Sequence, residues 1–269
     1  MAWSNVGSLK GAKGEAGTVT PAAAIADLTA APTAGDFNAL LEALRAAGLM
    51  DRPTPAPPVQ TEAVDVFIGD STTAIWDTAP LDKNWTTLIA NADGVGSVNV
   101  AVIGAGFQCG ADRKQAFPDQ VTTAIGKTQG KTVRRVFLVG LGNDKDSIQS
   151  DLDAEINAMT KTATMIKSAW PGAQLIYIVE VAPQTQWSKN LVSSFGSTIS
   201  QVYTLFESNG FNVARDWFDW LPDGETNGYL YDSMHPNAKG MNVAAHKIRE
   251  WVNTLSGPRI DGEIPAWSE

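Results

Sequence analysis

The chain has 269 residues, a formal net charge of −9, 43% hydrophobic and 18% charged residues, which suits a soluble globular protein with one large core, or one domain plus an appendage. The acidic balance argues against nucleic acid or an anionic membrane surface as the main partner. A single cysteine, Cys109, excludes an internal disulfide and a cysteine-rich metal site; no apolar run approaches the ~18 residues of a membrane span, and Met1–Gly7 does not read as a signal peptide.

Glycines at 7, 11, 14 and 17 give the first residues a three-residue period that lasts only two triplets, Gly11 to Gly17. That is too short for a self-standing collagen helix and reads as a flexible segment. An alanine-rich run at 21–28 predicts a short helix. Asp36 reads as the N-cap of a second, amphipathic one, with Phe37, Leu40, Leu41 and Leu44 on one stripe and Gly48 as its stop. So short a helix needs a partner surface, either the following domain or copies of itself. Residues 1–50 are therefore read as an assembly or anchor segment. Prolines 53, 55, 57 and 58 make 51–62 a semi-rigid linker and a domain boundary.

Beyond the linker, strand and helix signals alternate. Strands are predicted at 63–69, 97–103, 133–140, 174–181 and, more weakly, 211–216; helices at about 113–127, 147–169, 188–209 and 238–255. Such alternation builds a parallel sheet covered by helices on both faces. The domain is placed at 63–256, with 257–269 as an extended carboxyl tail. Open parallel sheets bind their ligands at the strands' carboxyl ends, and the first strand runs through Val66-Phe67-Ile68 into Gly69-Asp70-Ser71. The glycine permits a sharp turn, and a helix just after it would aim free N–H groups at the serine oxygen.

A nucleophilic serine needs a base, a carboxylate that orients the base, and N–H donors for the oxyanion. Of the two histidines, His246 sits in an amphipathic helix and reads as a packing or surface residue. His235 precedes Pro236, which disfavours helix there, and Asp232 is close enough in sequence to hold one ring nitrogen. Gly104-Ala105-Gly106 and Gly142-Asn143-Asp144 follow the second and third strands, so topology brings them near Ser71. The acidic cluster Asp144, Asp146, Asp151 and Asp153 lacks the pattern of a calcium hand and reads as a solvated helix start. Gly104-Ala105-Gly106 lacks the rest of a dinucleotide fingerprint. Neither a metal nor a cofactor is expected.

Taken jointly, Gly69-Asp70-Ser71, Gly104-Ala105-Gly106, Gly142-Asn143-Asp144 and Asp232-x-x-His235 resemble the four sequence blocks of the SGNH or GDSL-like hydrolases. The resemblance implies a flavodoxin-like three-layer α/β/α sandwich with a five-stranded parallel sheet, and hydrolysis of esters, acetyl groups on carbohydrates included. It implies Ser71 as nucleophile, His235 as base and Asp232 as its orienting carboxylate. The oxyanion hole would comprise the N–H groups of Ser71 and Gly106, with Gly104 in reserve, and Asn143. Two departures stand out: the third block has Leu141 where the family has glycine, with glycines at 140 and 142 instead, and the second block is compressed. The first fifty residues are similar to those of minor tail proteins from phages of actinobacteria, carried by the glycine triplets and by Ala26 to Leu41. That implies a virion component acting on an ester of host envelope glycan or lipid, self-associated as a homotrimer among other tail proteins, needing no signal peptide. The rival expectation is a structural or receptor-binding tail protein that keeps the fold without activity. A histidine base must be neutral to accept a proton, so activity is expected to rise across about pH 6 to 7.5.

Overall fold

A computed structural model describes residues 33–46, 62–108 and 115–268. The glycine triplets, the helix expected at 21–28, most of the proline-rich linker and Cys109 lie outside these residues. The chain divides into two compact units, 1–60 and 61–269.

In the first unit α1 spans Ala34–Ala46. Its cap differs from the expectation. The Thr33 hydroxyl and N–H both donate to the Asp36 carboxylate at 2.7 and 2.8 Å, and Asp36 N–H donates back to Thr33 Oγ1 at 3.3 Å. Thr33 is thus the cap and Asp36 the third helical residue, an acidic version of the reciprocal capping box. Phe37 and Leu40 are exposed, Phe37 by 60%.

The second unit holds five parallel strands: β1 (Ala63–Gly69), β2 (Gly96–Asn99), β3 (Thr132–Val139), β4 (Gln174–Ile178) and β5 (Asn212–Ala214), in the order β2-β1-β3-β4-β5. The connections hold α2 (Trp85–Ala92), α3 (Phe117–Lys127), α4 (Lys145–Ser150), α5 (Leu152–Ala169) and α6 (Gln186–Ser208), and α7 (Ala238–Val252) follows β5. Contacts pair α2 with α7, α3 with α5, and α5 with α6, giving a flavodoxin-like α/β/α sandwich. The chain steps from β1 to the edge at β2, then back across β1 to β3, β4 and β5. That reversal opens a crevice at the carboxyl ends of β1 and β3, where doubly wound folds bind ligands.

Three differences from the sequence reading stand out. The strand at 97–103 shrinks to Gly96–Asn99: Asn99 Oδ1 takes the N–H of Ala101, and Val100 and Val102 still donate to Phe67 O and Gly69 O of β1 before Val102 O accepts the N–H of Ala105 in a turn. The helix expected at 147–169 is two, separated by Asp151, whose extended backbone (φ −156°) ends α4 and whose carboxylate caps α5 through Ala154 N–H at 3.0 Å. Helix α2 was missed altogether, although Asn84 caps it by accepting Thr86 N–H at 3.0 Å.

The core explains why charges interrupt two buried strands. Arg135 of β3, fully buried, donates from Nε and an Nη to Asp65 Oδ2 of β1 at 3.1 and 3.0 Å and also bonds Asp93. Its other Nη donates to the carbonyls of Pro258 and Arg259 at 3.0 and 3.3 Å. The tail thereby joins this unit: Ile260 and Ile264 are buried and Pro265 O accepts from Asn242 Nδ2. At the opposite end Phe67 stacks on Phe137 with ring centroids 5.0 Å apart, and Gln120 of α3 brackets Gly69, accepting its N–H and donating to its carbonyl, both at 2.9 Å. Gln120 is fully buried, so Gln120→Leu strands the Gly69 N–H just before Asp70-Ser71, while the Gly69 carbonyl keeps the N–H of Val102 at 3.0 Å. A loss of roughly 2 kcal/mol is expected, a fall of ~4–8 °C in Tm for a domain of this size. Thermal melts check this, and an unchanged Tm would mean that water replaces the amide.

Candidate active site

At Gly69, β1 turns so tightly that an added Cβ would lie 2.7 Å from Thr73 Oγ1 and 2.8 Å from Val139 O. Asp70 then shapes a turn: its carbonyl accepts Thr73 and Ala74 N–H at 3.1 and 2.8 Å, and its Oδ1 accepts Thr72 N–H and Oγ1–H, both at 2.9 Å. Among the described residues no helix follows directly; the N–H of Ser71 is presented by this turn, with α2 starting only at Trp85. Ser71 is left 8% exposed at the crevice. The indole N–H of Trp76 donates to Ser71 O at 2.8 Å, and that of Trp85 to Thr72 O at 3.0 Å.

His235 reaches this serine from a sequence distance of 164 residues, with Nε2 2.9 Å from Ser71 Oγ. Its Nδ1 lies 2.8 Å from Asp232 Oδ2. Asp232 Oδ1 accepts the N–H groups of Met234 and His235, both at 2.8 Å, and His235 O accepts Tyr231 N–H at 2.9 Å. Asn237 then caps α7 through Gly240 N–H and donates to Gly228 and Leu230 carbonyls. Burial alone would raise the Asp232 carboxyl; the hydrogen bonds from His235 and Met234 outweigh it and hold the group below its ordinary range. An ionised Asp232 favours the tautomer with the proton on Nδ1, leaving Nε2 to accept from serine. Trp76 crosses the imidazole edge-on, centroids 4.9 Å apart at 88°. His246 lies on α7, partly buried.

The glycine blocks meet the crevice from β2 and β3. Gly104, at φ +73° with nothing within 4 Å of an added Cβ, serves the turn between Val102 and Ala105. Gly106 is glycine for space: a Cβ there would lie 2.2 Å from Asp144 Oδ1. Among the described residues the N–H groups of Ser71 and Gly106 have no hydrogen-bond acceptor. Asn143 Nδ2 donates to Ala105 O at 3.0 Å and to Asp70 Oδ2 at 3.3 Å, tying the second block, the third and the serine turn together. The shifted glycines of the third block have separate causes. Gly140 (φ +140°) leaves room for Phe117, and Gly142 donates its N–H to Glu180 Oε1 at 2.8 Å while the Trp187 ring occupies the space a Cβ would need. Leu141 between them points into the core.

Below the crevice lies a cluster of buried carboxyls. Asp144, expected to be solvated, is instead fully buried and accepts Phe107 N–H at 2.9 Å and Gln108 N–H at 3.4 Å. Glu155 adjoins it; Asp70 and Glu180 share the Thr72 hydroxyl at 2.9 and 3.3 Å. Burial, reinforced by neighbouring carboxyls at Asp144 and Glu180, pushes Asp70, Asp144 and Glu180 upward, and burial raises Glu155 to about 7. A carboxyl whose folded pKa lies above its unfolded value holds a proton that the unfolded chain has already released. Stability from these groups is therefore greatest below about pH 4.5 and is lost as pH rises through about 7 for Glu155. Tm is expected to fall between about pH 5 and 8, and Glu155→Gln to flatten that fall; a Tm that climbed over this range would refute it.

Sequence reasoning missed Trp76, Thr72, Glu180 and Gln120. Glu180 had a signal, a carboxylate inside the apolar run from Leu175 to Val181; Trp76 and Gln120 had none, because their partners are set by tertiary contacts.

Fold and site together define an α/β sandwich carrying a Ser–His–Asp line at its switch point. No family model and no curated protein matches this sequence. Among solved structures the chain is similar to a family two carbohydrate esterase from Clostridium thermocellum in complex with cellohexaose (TM-score 0.53, 17% identity, 74% of this chain and 67% of that one). It is also similar to a member of the lipolytic G-D-S-L family from Veillonella parvula (0.51, 17%, 72% and 100%) and to a carbohydrate acetylesterase from Sinorhizobium meliloti (0.50, 16%, 72% and 100%). At such identities the likeness establishes the fold, which is that of the SGNH/GDSL esterases.

Proposed function

We propose that this chain is a serine ester hydrolase that removes acyl groups, chiefly acetyl, from cell-envelope glycan, with envelope lipid esters as the second substrate class. The observation that carries the reading is the hydrogen-bonded line from Asp232 through His235 to Ser71. Ser71 Oγ attacks the ester carbonyl as its proton passes to His235 Nε2. The carbonyl oxygen, now negative, accepts from the N–H groups of Ser71 and Gly106, and from Asn143 Nδ2 in exchange for its longer bond to Asp70. His235 returns the proton to the departing alkoxide, leaving an acyl-serine and a free alcohol. Water, deprotonated by His235, then releases the carboxylic acid and restores Ser71. The carbohydrate esterases among the similar structures favour a glycan ester over a lipid one. Hydrolysis of aryl acetates and of longer aryl esters, beside the Ser71→Ala variant, tests the reading: turnover unaffected by Ser71→Ala would overturn it.

The tail-protein likeness of residues 1–50 supports a virion setting at the host surface, with other tail proteins as partners. Glycine triplets and a helix with exposed Phe37 and Leu40 both gain stability from identical copies. Light scattering is expected to give a mass of about three chains for the full protein and one for a fragment starting at Thr61; equal chain counts would end the assembly role.

A further inference from the structure

The loop after β3 lies between those after β1 and β4, so Gly142-Asn143 stands between Ser71 and the start of α6. There a cleft of about 250 Å³ opens between α4 and α6. Trp187, half-buried in the first turn of α6, forms one wall and touches Gly142, where an added Cβ would lie 2.3 Å from its Cη2. Buried Leu191 and Phe195 lie at its base. Its rim is polar and exposed: Lys145, Asp146 and Gln149 from α4, Asn190 and Ser194 from α6. Of these, Asn190 is oriented by accepting from Gln186 Nε2 at 2.8 Å, and the side chains of Lys145, Asp146, Gln149 and Ser194 bond no described residue.

We infer that this cleft is a glycan subsite, in which the Trp187 indole receives the apolar face of a pyranose ring while Gln149 and Asn190 take its hydroxyls. The inference rests on the glycan-ester reading above and fixes where the sugars beyond the acylated one are held. The chemistry favours sugar over acyl chain. A lipid tail needs an enclosed apolar channel, whereas this cleft offers one aromatic wall and rows of donors and acceptors, the combination that matches a ring with C–H faces and a hydroxyl edge. Gly142 suits the same purpose, since any side chain there would displace the indole.

Binding without turnover tests the subsite. Full-length Ser71→Ala protein is titrated by calorimetry with xylohexaose and, separately, with the β-1,4-linked hexamer of N-acetylglucosamine. At least one is expected to bind with Kd on the order of 1 mM or tighter, and to weaken about tenfold or more both in Ser71→Ala/Trp187→Ala and in Ser71→Ala/Gln149→Ala/Asn190→Ala. The second variant leaves the indole against Gly142. No binding of either sugar, or binding that neither variant weakens, overturns the subsite. Loss confined to Trp187→Ala, with a lowered Tm, overturns it too and makes the indole a prop for Gly142. Aryl acetate hydrolysis by the unaltered protein reports on the hydrolase reading alone: turnover without sugar binding removes the subsite only, and sugar binding without turnover removes the hydrolase only.

Discussion

Ser71→Ala is expected to lower kcat for a short aryl ester by about 10⁴- to 10⁶-fold, the cost found when a serine nucleophile is removed from a working triad. The fold should not notice. The Ser71 hydroxyl bonds His235 alone among the described residues, while the turn around it is held by Asp70 O, by Thr72 to Asp70, by Gln120 on Gly69 and by the Trp76 indole on Ser71 O. None of these uses the hydroxyl, so Tm should stay within a degree or two of the parent's, on the order expected for a surface change. Asp232→Asn should cost less, about 10³- to 10⁴-fold, because the amide donates where the carboxylate accepted and leaves His235 in the wrong tautomer. The double variant should be no slower than Ser71→Ala, since the three groups act as one unit. Residual activity above about 1% in well-folded Ser71→Ala would assign the chemistry elsewhere.

The next largest effect is expected at Asn143. Removing one preorganised donor from an oxyanion hole typically costs 10²- to 10³-fold in kcat, or about 3–4 kcal/mol of transition-state stabilisation, with KM changed only a few-fold. The structure gives the residue a second duty, because Nδ2 ties Ala105 O to Asp70. Asn143→Ala should therefore lower kcat and also cost the ~1 kcal/mol of a partly exposed hydrogen bond, seen as a slight fall in Tm. Asn143→Asp should be at least as slow as Asn143→Ala: it sets a carboxylate beside both the developing oxyanion and Asp70, in a crevice already crowded with carboxyls. A pure turn role would give a clear loss of Tm with kcat nearly unchanged, and that result would leave only the N–H groups of Ser71 and Gly106 in the hole. The kcat, KM and melting curves of these two variants decide between the duties.

The separation between what was legible and what was not follows the range of the interactions. The central strands β1, β3 and β4 were legible because parallel strands buried on both faces are short apolar runs, as in Val136-Phe137-Leu138-Val139. The edge strands β2 and β5 are only partly buried, and their bounds were read less well. Ser71, Asp232 and His235 stood out because a strand's end and a proline after a histidine mark where loops leave the sheet, whereas Gly106 and Asn143 were singled out by the family resemblance. Helix boundaries were less legible: α2 is eight residues and its apolar stripe is too short to register, and α4 and α5 merge in pattern because Asp151 interrupts them without a glycine or proline.

By itself, then, the sequence determined an acidic α/β chain with a glycine-led serine turn after its first strand and an Asp-x-x-His before its last helix. These are local properties, written in side-chain type and spacing. Only the tertiary structure decided that 164 intervening residues close to 2.9 Å at Ser71 and His235, that Asp144 turns inward under Gly106, that Glu180 and Asp70 share Thr72, and that Trp187 fills the space left by Gly142. Each depends on the strand order β2-β1-β3-β4-β5, which sets which loops become neighbours. That order follows from how the helices cover both faces of the whole sheet, and no single stretch of sequence carries it.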